Sequence, residues 1–292
     1  MRPSAPGIDR RLPWLAIVTA CLLSCPAAAA PPASLAELAP DSTSVYLEVR
    51  QPEALLDIAL DPRWTNMLKQ SEQGRELLAS RQWVQLKGGL SMLEDRLKTT
   101  WQQGLRDLTG GGVAVAANPV DKTALLLVRA KTAEILPRLD QTVRELGELA
   151  ALASGRPSPL VKSEYRDAAV WSVGENAAYA VLEDDKLLIA GSPKAAVEAA
   201  IDRVRDGGRS LATLEPFRQA RQAAAEDPCV WGWLDLEGFR ELPPFQKLQE
   251  GPRRNPGAEN LLGGVIEALG NAFYVSFGAT VTDDKLGLRW QV

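Results

Sequence analysis

The sequence predicts an α+β protein, with a mostly antiparallel sheet and helices packed against it. Three observations lead to this fold class. Short strand-like runs follow one another at short turns, and segments with apolar residues at three- and four-residue spacing lie between them. The order strand, helices, hairpin also occurs twice, at 45–130 and at 230–292. We interpret this recurrence as a weak internal pseudo-repeat.

The pattern of residues 1–30 predicts an export signal. A basic start precedes a mostly apolar run from Leu12 to Ser24, which is too short to span a bilayer comfortably, and the small-residue segment PAAAAPP follows from Pro26. Residues 31–292 then form a single α+β domain, with a possible subdivision at the loop near 154–160.

Two routes of processing stay open for this signal. Cleavage near Ala30 would release a free chain. Cys21 and Cys25, however, each end a segment similar to the lipobox of bacterial lipoproteins, in which the cysteine carries the lipid. In either case we expect a protein of the periplasm or cell envelope, and a membrane contact only through such an anchor.

Between residues 45 and 150 the predicted elements begin with the alternating strand VYLEV, followed by a helix opened by Pro52. Helical spacing continues over 64–78 and over 90–105, and Lys87-Gly88-Gly89 is expected to separate these two segments. VAVAAN and TALLLVRA predict a hairpin, and a long helix follows, with Pro137 in its first turn or at a kink.

Beyond the loop, three short strands are expected around YRDAAVWSVG, NAAYAVLE and KLLIAG. Ser192 is predicted to cap a helix that begins at Pro193 and ends at Gly207-Gly208. A helix over 214–225, the strand CVWGWLDL, a helix over 260–269 and a final hairpin complete the pattern.

Composition excludes several classes of function. The 292 residues include no histidine, so histidine-based acid/base catalysis and histidine metal ligation are unavailable. The net charge is −4, and −6 once residues 1–30, with three arginines and one aspartate, are removed. An acidic chain is a poor nucleic-acid binder. Cys229 is then the single cysteine left, so no internal disulfide is expected.

The triplets Asp184-Asp185-Lys186 and Asp283-Asp284-Lys285 each lie between two strand-like runs. Paired acids could be catalytic or could bind a metal ion, but aspartate also favours tight turns, and neither triplet has the spaced oxygen donors of a calcium loop. We interpret both as hairpin turns.

Other motifs do not indicate a cofactor. Gly110-Gly111-Gly112 precedes a strand, whereas phosphate-binding loops precede a helix. Arg253 and Arg254, in GPRRNPG, mark a solvated loop, and would form an anion site only with other cations alongside. No serine-nucleophile motif occurs either. We therefore expect no catalytic residue, no bound metal and no cofactor.

Trp231 and Trp233 are the candidate ligand-platform residues. With Cys229 they project from one face of a strand, where the two indoles could bind a ligand such as a sugar. The alternative is that a helix covers this face and buries all three side chains, which is the commoner fate of tryptophan, and Cys229 would then be a buried apolar residue.

The phrases LAELAPDSTSVYLEVRQPEALLD and AYAVLEDDKLLIAGSPKAAVEAAIDRV, after an export signal, resemble a family of exported bacterial proteins known only as a domain of unknown function. The resemblance implies the same strand and helix units. It brings no catalytic residues.

Taken together, these observations predict an exported envelope protein that binds or scaffolds an envelope protein or glycan without catalysis. The alternative is a carboxylate-based hydrolase of envelope glycans, which needs two converging acids.

Overall fold

The computed structural model describes residues 34–224, 228–240, 272–282 and 285–291. In this part of the chain, ten strands form one sheet in the order β10-β9-β8-β1-β2-β3-β7-β6-β5-β4, and every neighbouring pair is antiparallel. The predicted α+β class is confirmed. The strands are β1 Val45–Val49, β2 Val113–Asn118, β3 Thr123–Arg129, β4 Leu160–Tyr165, β5 Ala168–Val173, β6 Ala177–Leu182, β7 Leu187–Ser192, β8 Val230–Asp235, β9 Tyr274–Thr282 and β10 Lys285–Gln291.

Helices fill the intervals between these strands. Several begin with a side-chain cap that satisfies a free N–H group: Asp61, Ser71, Ser80 and Thr100 each accept a hydrogen bond from the first turn. The α-helices are α1 Pro52–Ala59, α2 Pro62–Gln70, α3 Glu72–Ala79, α4 Arg81–Leu97, α5 Trp101–Thr109, α6 Ile135–Ser154, α7 Lys194–Asp206, α8 Glu215–Ala223 and α9 Leu236–Phe239, and 3₁₀ helices span Leu35–Glu37 and Leu211–Thr213.

The predicted break at Lys87-Gly88-Gly89 is wrong. Helix α4 runs through both glycines, and the space where their side chains would lie is open. A glycine weakens a helix interior by about 1 kcal/mol but does not by itself end it. The break lies at Lys98, which adopts a left-handed conformation, and Thr100 then caps α5.

The expectation of three strands after the central loop is also wrong, because there are four. The segment predicted as one strand around YRDAAVWSVG begins in β4 and continues as β5, with a turn at Arg166 and Asp167. Both turn residues have positive φ, 47° and 63°. Hairpin turns of this kind usually contain asparagine or glycine, so the sequence lacked the expected signal.

A third correction concerns the start of α7. Ser192 is the last residue of β7 and forms no cap, and the helix begins at Lys194 after Pro193. The helix ends before Gly207, as predicted. The other predicted strands of the described chain, including VYLEV, the VAVAAN hairpin and CVWGWLDL, match β1, β2–β3 and β8.

One face of the sheet carries the main core. Helices α7 and α8 and the two 3₁₀ helices cover it, and their apolar side chains contact those of the strands. Ile201 of α7 and Leu211 are fully buried there, as are Leu127 of β3 and Ile189 of β7. Val197 to Val204 of α7 supply the apolar stripe that the sequence predicted.

The opposite face, called here the open face, is only partly covered. Helix α6 packs over β6, where the hydroxyl of Tyr179 donates a hydrogen bond to Asp140. In the middle of the sheet, Leu47, Val115 and Leu126 lie side by side and remain 38–39% exposed. They belong to a row that crosses all ten strands: Trp290, Phe277, Gly232, Leu47, Val115, Leu126, Ala190, Tyr179, Trp171 and Lys162.

Several expectations fall outside the described residues: the export signal with Cys21 and Cys25, the helix over 260–269, Arg253 and Arg254, and Asp283 and Asp284. Strands on both sides of the 154–160 loop join the same sheet. Within the described ranges, no helix has the length and apolar character needed to cross a membrane.

Candidate functional site

The tryptophans of β8 lie on the covered face of the sheet. Trp231 is opposite Glu48 of β1 and Gly278 of β9, and Trp233 is opposite Tyr46 and Ser276. Trp231 is fully buried and Trp233 is 3% exposed. Neither indole is therefore exposed as a platform for a ligand. Both are buried, as in the alternative in which a helix covers this face of the strand.

Phe217 of α8 covers both indoles. Its ring centroid lies 5.0 Å from that of Trp231 and 5.6 Å from that of Trp233, with the rings edge to face in each case. Tyr46 joins the same cluster, 5.5 Å from Phe217. Phe217 and Ala220 are the buried residues of this short helix, so the cluster is what holds α8 against the sheet.

Arg221, one turn further along α8, lies over the face of Trp231. Its guanidinium carbon is 4.7 Å from the ring centroid, which is the geometry of a cation–π contact. Nη2 of Arg221 is also 3.7 Å from Oε2 of Glu48, which is 5% exposed. Burial raises the pKa of Glu48, and Arg221 partly offsets this effect. Burial in turn lowers the pKa of Arg221.

Several buried polar groups of this region have no hydrogen-bond partner among the described atoms. Nε1 of Trp231, Nε1 of Trp233 and Nη1 of Arg221 are buried, and none has a hydrogen-bond partner among the described atoms. A buried donor without a partner costs about 1–3 kcal/mol. A species that brings an acceptor to such a donor is favoured, and an anion most of all.

A cleft of about 290 Å³ opens beside Trp231, between the end of α8 and strands β9 and β10. This volume is near the lower end of the range for ligand sites, about 300–1,000 Å³. The lining residues are Ala223, Ala224, Pro228, Trp231, Ser276, Phe277, Gly278, Thr280, Gly287, Leu288, Arg289 and Trp290.

Glycines give the cleft its space. A side chain at Gly278 would begin 3.3 Å from Pro228 and 3.8 Å from Cδ1 of Trp231, so it would fill the space between them. A side chain at Gly287 would begin 2.9 Å from Oγ1 of Thr280. The indole of Trp231 therefore borders this side of the cleft through Cδ1.

Arg289 supplies the positive charge of the cleft. On β10 it is opposite Gly278 and shares the covered face with Gly287, because alternate residues of a strand lie on the same face. Its side chain is exposed. By the same alternation, the side chains of Leu288 and Trp290 lie on the open face. There the ring centroids of Trp290 and Phe277 are 6.1 Å apart.

The other sequence candidates do not join this cleft. Cys229 is 2% exposed, and its thiol donates to the carbonyl of Ala279. Asp184 to Lys186 form the turn between β6 and β7, where Asp185 pairs with Arg205 at 2.8 Å and Lys186 has a φ of 54°. This is the hairpin turn that we expected. Among the described residues, no cluster of three or more acidic or cysteine side chains could hold a metal ion.

The sequence did not reveal Arg221 or Arg289. Each looks like an ordinary solvated residue of a helix or strand. The contact of Arg221 with Trp231 depends on the placement of α8, and Arg289 joins the same cleft only because β9 pairs with both β8 and β10. The run EPFRQARQA does place Phe217 and Arg221 four residues apart, on one face of a helix, which is the signal that could have associated them.

A second, larger groove of about 560 Å³ lies between α4 and α6. Leu90, Leu93 and Leu146 line it, with Arg96 at its rim. Arg96 also forms an ion pair with Glu145. The walls of this groove are largely apolar, and its buried polar side chain, Thr142, already donates its hydroxyl to the carbonyl of Arg138. The cleft at Trp231, where a buried donor has no partner among the described atoms, is therefore the better candidate site.

Comparison with known proteins identifies no family. No protein-family model matches the sequence, and no curated protein matches it. Among solved structures, crystal forms IV and I of TP0453 are similar to this chain at 9% identity, with TM-scores of 0.42 and 0.40. The matches cover 87% of this chain and 78% and 75% of the TP0453 chains. A similarity this weak does not establish a shared fold or a shared function.

Proposed function

We propose that this chain is an exported, non-catalytic binding protein of the cell envelope, and that its cleft binds the carboxylate of a small ligand. The observation that carries the proposal is a cleft lined by the exposed Arg289 and by the indole of Trp231, whose Nε1–H has no partner among the described atoms. An indole N–H and a guanidinium are both donors, and a carboxylate accepts from both.

The size and chemistry of the walls support a small ligand. Ala223, Ala224 and Pro228 provide an apolar side, and the hydroxyls of Ser276 and Thr280 provide a polar one. The free end of a short peptide has this combination of a carboxylate and small alkyl groups, and so does an acidic sugar unit to a lesser extent. Both chemistries are available in an envelope that contains peptides and glycans.

The export part of the proposal is supported by the basic, apolar and small-residue segments of residues 1–30. The resemblance to exported proteins of unknown function belongs to the same proposal. The hydrolase alternative receives no such support, since the described carboxyl groups with a raised pKa, Glu48 and Asp235, are not among the residues that line the cleft.

Calorimetric titration tests the binding. We expect N-acetyl-Ala-Ala to bind and its C-terminal amide to bind at least tenfold more weakly, because the amide removes the negative charge. Glucuronate and glucose form the parallel pair for an acidic sugar. Arg289→Gln should abolish the preference for the charged member of each pair, whereas Arg156→Gln, an exposed arginine before the opposite edge strand β4, should not.

If neither carboxylate binds, or if Arg289→Gln retains full preference for the charged probe, the proposal is wrong. Preference for the peptide over glucuronate identifies a peptide end as the source of the carboxylate, and the reverse order identifies a glycan.

A further inference from the structure

Helix α4 is only thinly covered by the rest of the described chain. None of its described side chains is buried: Leu90 and Leu93 are half-buried, and Met92 is 42% exposed. Helices in proteins are stabilised mainly by burial of an apolar face, so these side chains favour a further occupant beside them. All three line the groove of about 560 Å³ between α4 and α6.

The groove follows one face of α4. Gln85, Gly89, Leu93 and Arg96 line it at three- and four-residue spacing. From Gln85 to Arg96 a helix rises about 16 Å along its axis. The groove is therefore elongated, as an extended alkyl chain is, and its volume lies within the range of small-ligand sites, about 300–1,000 Å³.

The groove is apolar over most of its length and polar at one end. Its apolar part is lined by Leu90, Met92, Leu93 and Leu146. Arg96 and Thr142 line both this groove and a second cavity of about 300 Å³, so the two spaces adjoin there. A ligand that occupies both spaces has an apolar body and a polar head.

The second cavity carries an excess of positive charge in a chain whose net charge is −4. Three cations, Arg96, Lys98 and Arg138, and two acids, Asp95 and Glu145, line it. Glu145 is engaged by Arg96, whereas Lys98 and Arg138 form no ion pair with a described side chain. Arg138 is the fourth residue of α6, near the positive end of the helix dipole, so its charge does not stabilise that helix. The two cations favour an anionic head.

We infer that the groove between α4 and α6 binds an individual amphiphile, with a single alkyl chain in the apolar part and an anionic head beside Lys98 and Arg138. Burial of the alkyl chain supplies the affinity, and the two cations set its direction. The described lining has no unpartnered buried donor, which suits a ligand bound mainly through its chain. This inference does not rest on the carboxylate site at Trp231.

Calorimetric titration with myristate, below its critical micelle concentration, tests the inference. We expect one molecule to bind per chain. Monomyristoylglycerol, which has the same alkyl chain and a neutral head, should bind several-fold more weakly. Laurate, which is two CH₂ groups shorter, should bind about tenfold more weakly than myristate, because each CH₂ group buried in the groove contributes to the affinity.

The adjacent glycines of α4 provide a matched pair of variants. Gly89 lines the groove and Gly88 does not, and a side chain beginning at either position meets no atom within 4 Å. Replacing glycine inside a helix favours the helix at both positions. Gly89→Phe should fill the groove and weaken myristate binding at least tenfold, whereas Gly88→Phe should leave it unchanged.

A second pair of variants tests the head. The double variant Lys98→Gln, Arg138→Gln should remove the preference for myristate over monomyristoylglycerol, while Arg156→Gln, beyond the other end of α6, should retain it. Myristoyl lysophosphatidylglycerol carries its charge on a phosphate. Whether it or myristate binds more tightly identifies the anionic head as a phosphate or a carboxylate.

Absence of myristate binding overturns the inference, as does equal binding by the wild type and Gly89→Phe. Binding to anionic vesicles that Val84→Ser weakens, without binding of monomeric myristate, also overturns it and identifies a bilayer surface, because Val84 is 63% exposed outside the groove lining. Self-association that Gly89→Phe abolishes, again without myristate binding, overturns it in favour of a second copy.

The two proposals fail in different ways, although myristate also carries a carboxylate. Myristate binding that is lost in Arg289→Gln and retained in Gly89→Phe belongs to the cleft at Trp231, so it supports the proposed function and overturns the groove site. Myristate binding that is lost only in Gly89→Phe supports the groove site, even if N-acetyl-Ala-Ala fails to bind.

Discussion

The guanidinium carbon of Arg221 lies 4.7 Å from the ring centroid of Trp231, and the same side chain approaches the buried carboxyl of Glu48. This arrangement fixes the indole that borders the cleft. It also brings an acid, a cation and an aromatic ring together beneath α8, where Glu48 and Trp231 are buried and Arg221 is partly exposed. The three groups therefore influence both the stability of the region and its response to pH.

The first prediction concerns Glu48→Gln and pH. Burial raises the pKa of Glu48 in the folded chain, so the folded state holds the proton more tightly than the unfolded state does. The contribution of Glu48 to stability is therefore present at low pH, and it decreases as pH rises from about 4.3, the unfolded value, through the folded pKa. The Glu48→Gln variant has no carboxyl group to ionise at this position, so its stability does not decrease in this way.

Urea unfolding at several pH values between 3.5 and 7.5 measures the effect. The stability of Glu48→Gln relative to wild type should increase with pH across that window and then level off. Glu72→Gln, on an exposed surface of α3, is the control. A difference that is constant or decreases with pH would show that Glu48 is not held in the environment described.

The second prediction concerns the loss of the cation. Arg221→Met keeps the apolar stem over Trp231 but removes the cation 3.7 Å from Glu48, while Arg50 and Arg129 still act on that carboxyl. The free energy of unfolding at pH 7 should therefore fall, by less than the ~3 kcal/mol lost when a fully buried pair is broken. Adding Glu48→Gln should recover part of this loss, because the buried carboxylate is then absent. Chemical denaturation of the two single variants and the double variant gives the coupling energy, and simple additivity would contradict the contact.

The third prediction concerns the contact between α6 and the open face. The hydroxyl of Tyr179, a residue only 7% exposed, donates to Oδ1 of Asp140 at 3.1 Å. Burial and the nearby carboxylate raise the pKa of Tyr179, so the hydroxyl stays protonated at neutral pH. Tyr179→Phe should lower stability by about 1.5 kcal/mol. In the Asp140→Asn background the same change should cost clearly less, and an equal cost would argue against this hydrogen bond.

The fourth prediction distinguishes the observed α4 from the broken helix that the sequence indicated. Gly88→Ala and Gly89→Ala meet no atom within 4 Å and lie inside a continuous helix. Each should raise the free energy of unfolding by about 0.5–1 kcal/mol. Gly155→Ala, at a helix end with a φ of 63°, should instead lower it. If Gly88→Ala and Gly89→Ala destabilised the chain, the result would favour the helix break that the sequence predicted over the continuous α4.

Much of the architecture follows from local sequence signals. The alternation of VYLEV, the hairpin around Pro119 and the spacing of Val197, Ile201 and Val204 each depend on a strand or helix period within a few residues, and each prediction agrees with the structure. Such signals are sufficient for the fold class because antiparallel neighbours joined by short turns need little long-range information.

The errors arise where tertiary contacts override a local rule. Gly88 and Gly89 stay helical inside a 17-residue helix that contacts α3, α5 and α6, and those contacts lie far apart in the sequence or outside the local pattern. Arg166 and Asp167 adopt a turn without glycine or asparagine, and there Arg166 pairs with Asp202 and Asp206 of α7, contacts that no local pattern contains.

The candidate site was predictable only in part. Trp231 was predicted as a site residue from the face of its strand, but its relation to Arg289 depends on the pairing of β8 with β9 and of β9 with β10, both through Gly278. Its relation to Arg221 depends on the placement of α8. Trp233, chosen by the same rule, is buried away from the cleft lining. The alternation of side chains along a strand predicts the face on which a residue lies, but it does not predict which element covers that face.

The most direct measurement of the central claim is the ¹⁵N–¹H NMR signal of the Trp231 indole, assigned by its loss in Trp231→Phe. If a carboxylate accepts the Nε1–H of Trp231, saturating N-acetyl-Ala-Ala should move this signal strongly downfield, while the signal of Trp233 stays nearly unchanged and the amide probe moves neither. An unchanged Trp231 signal in the presence of a carboxylate that calorimetry shows to be bound would contradict the account.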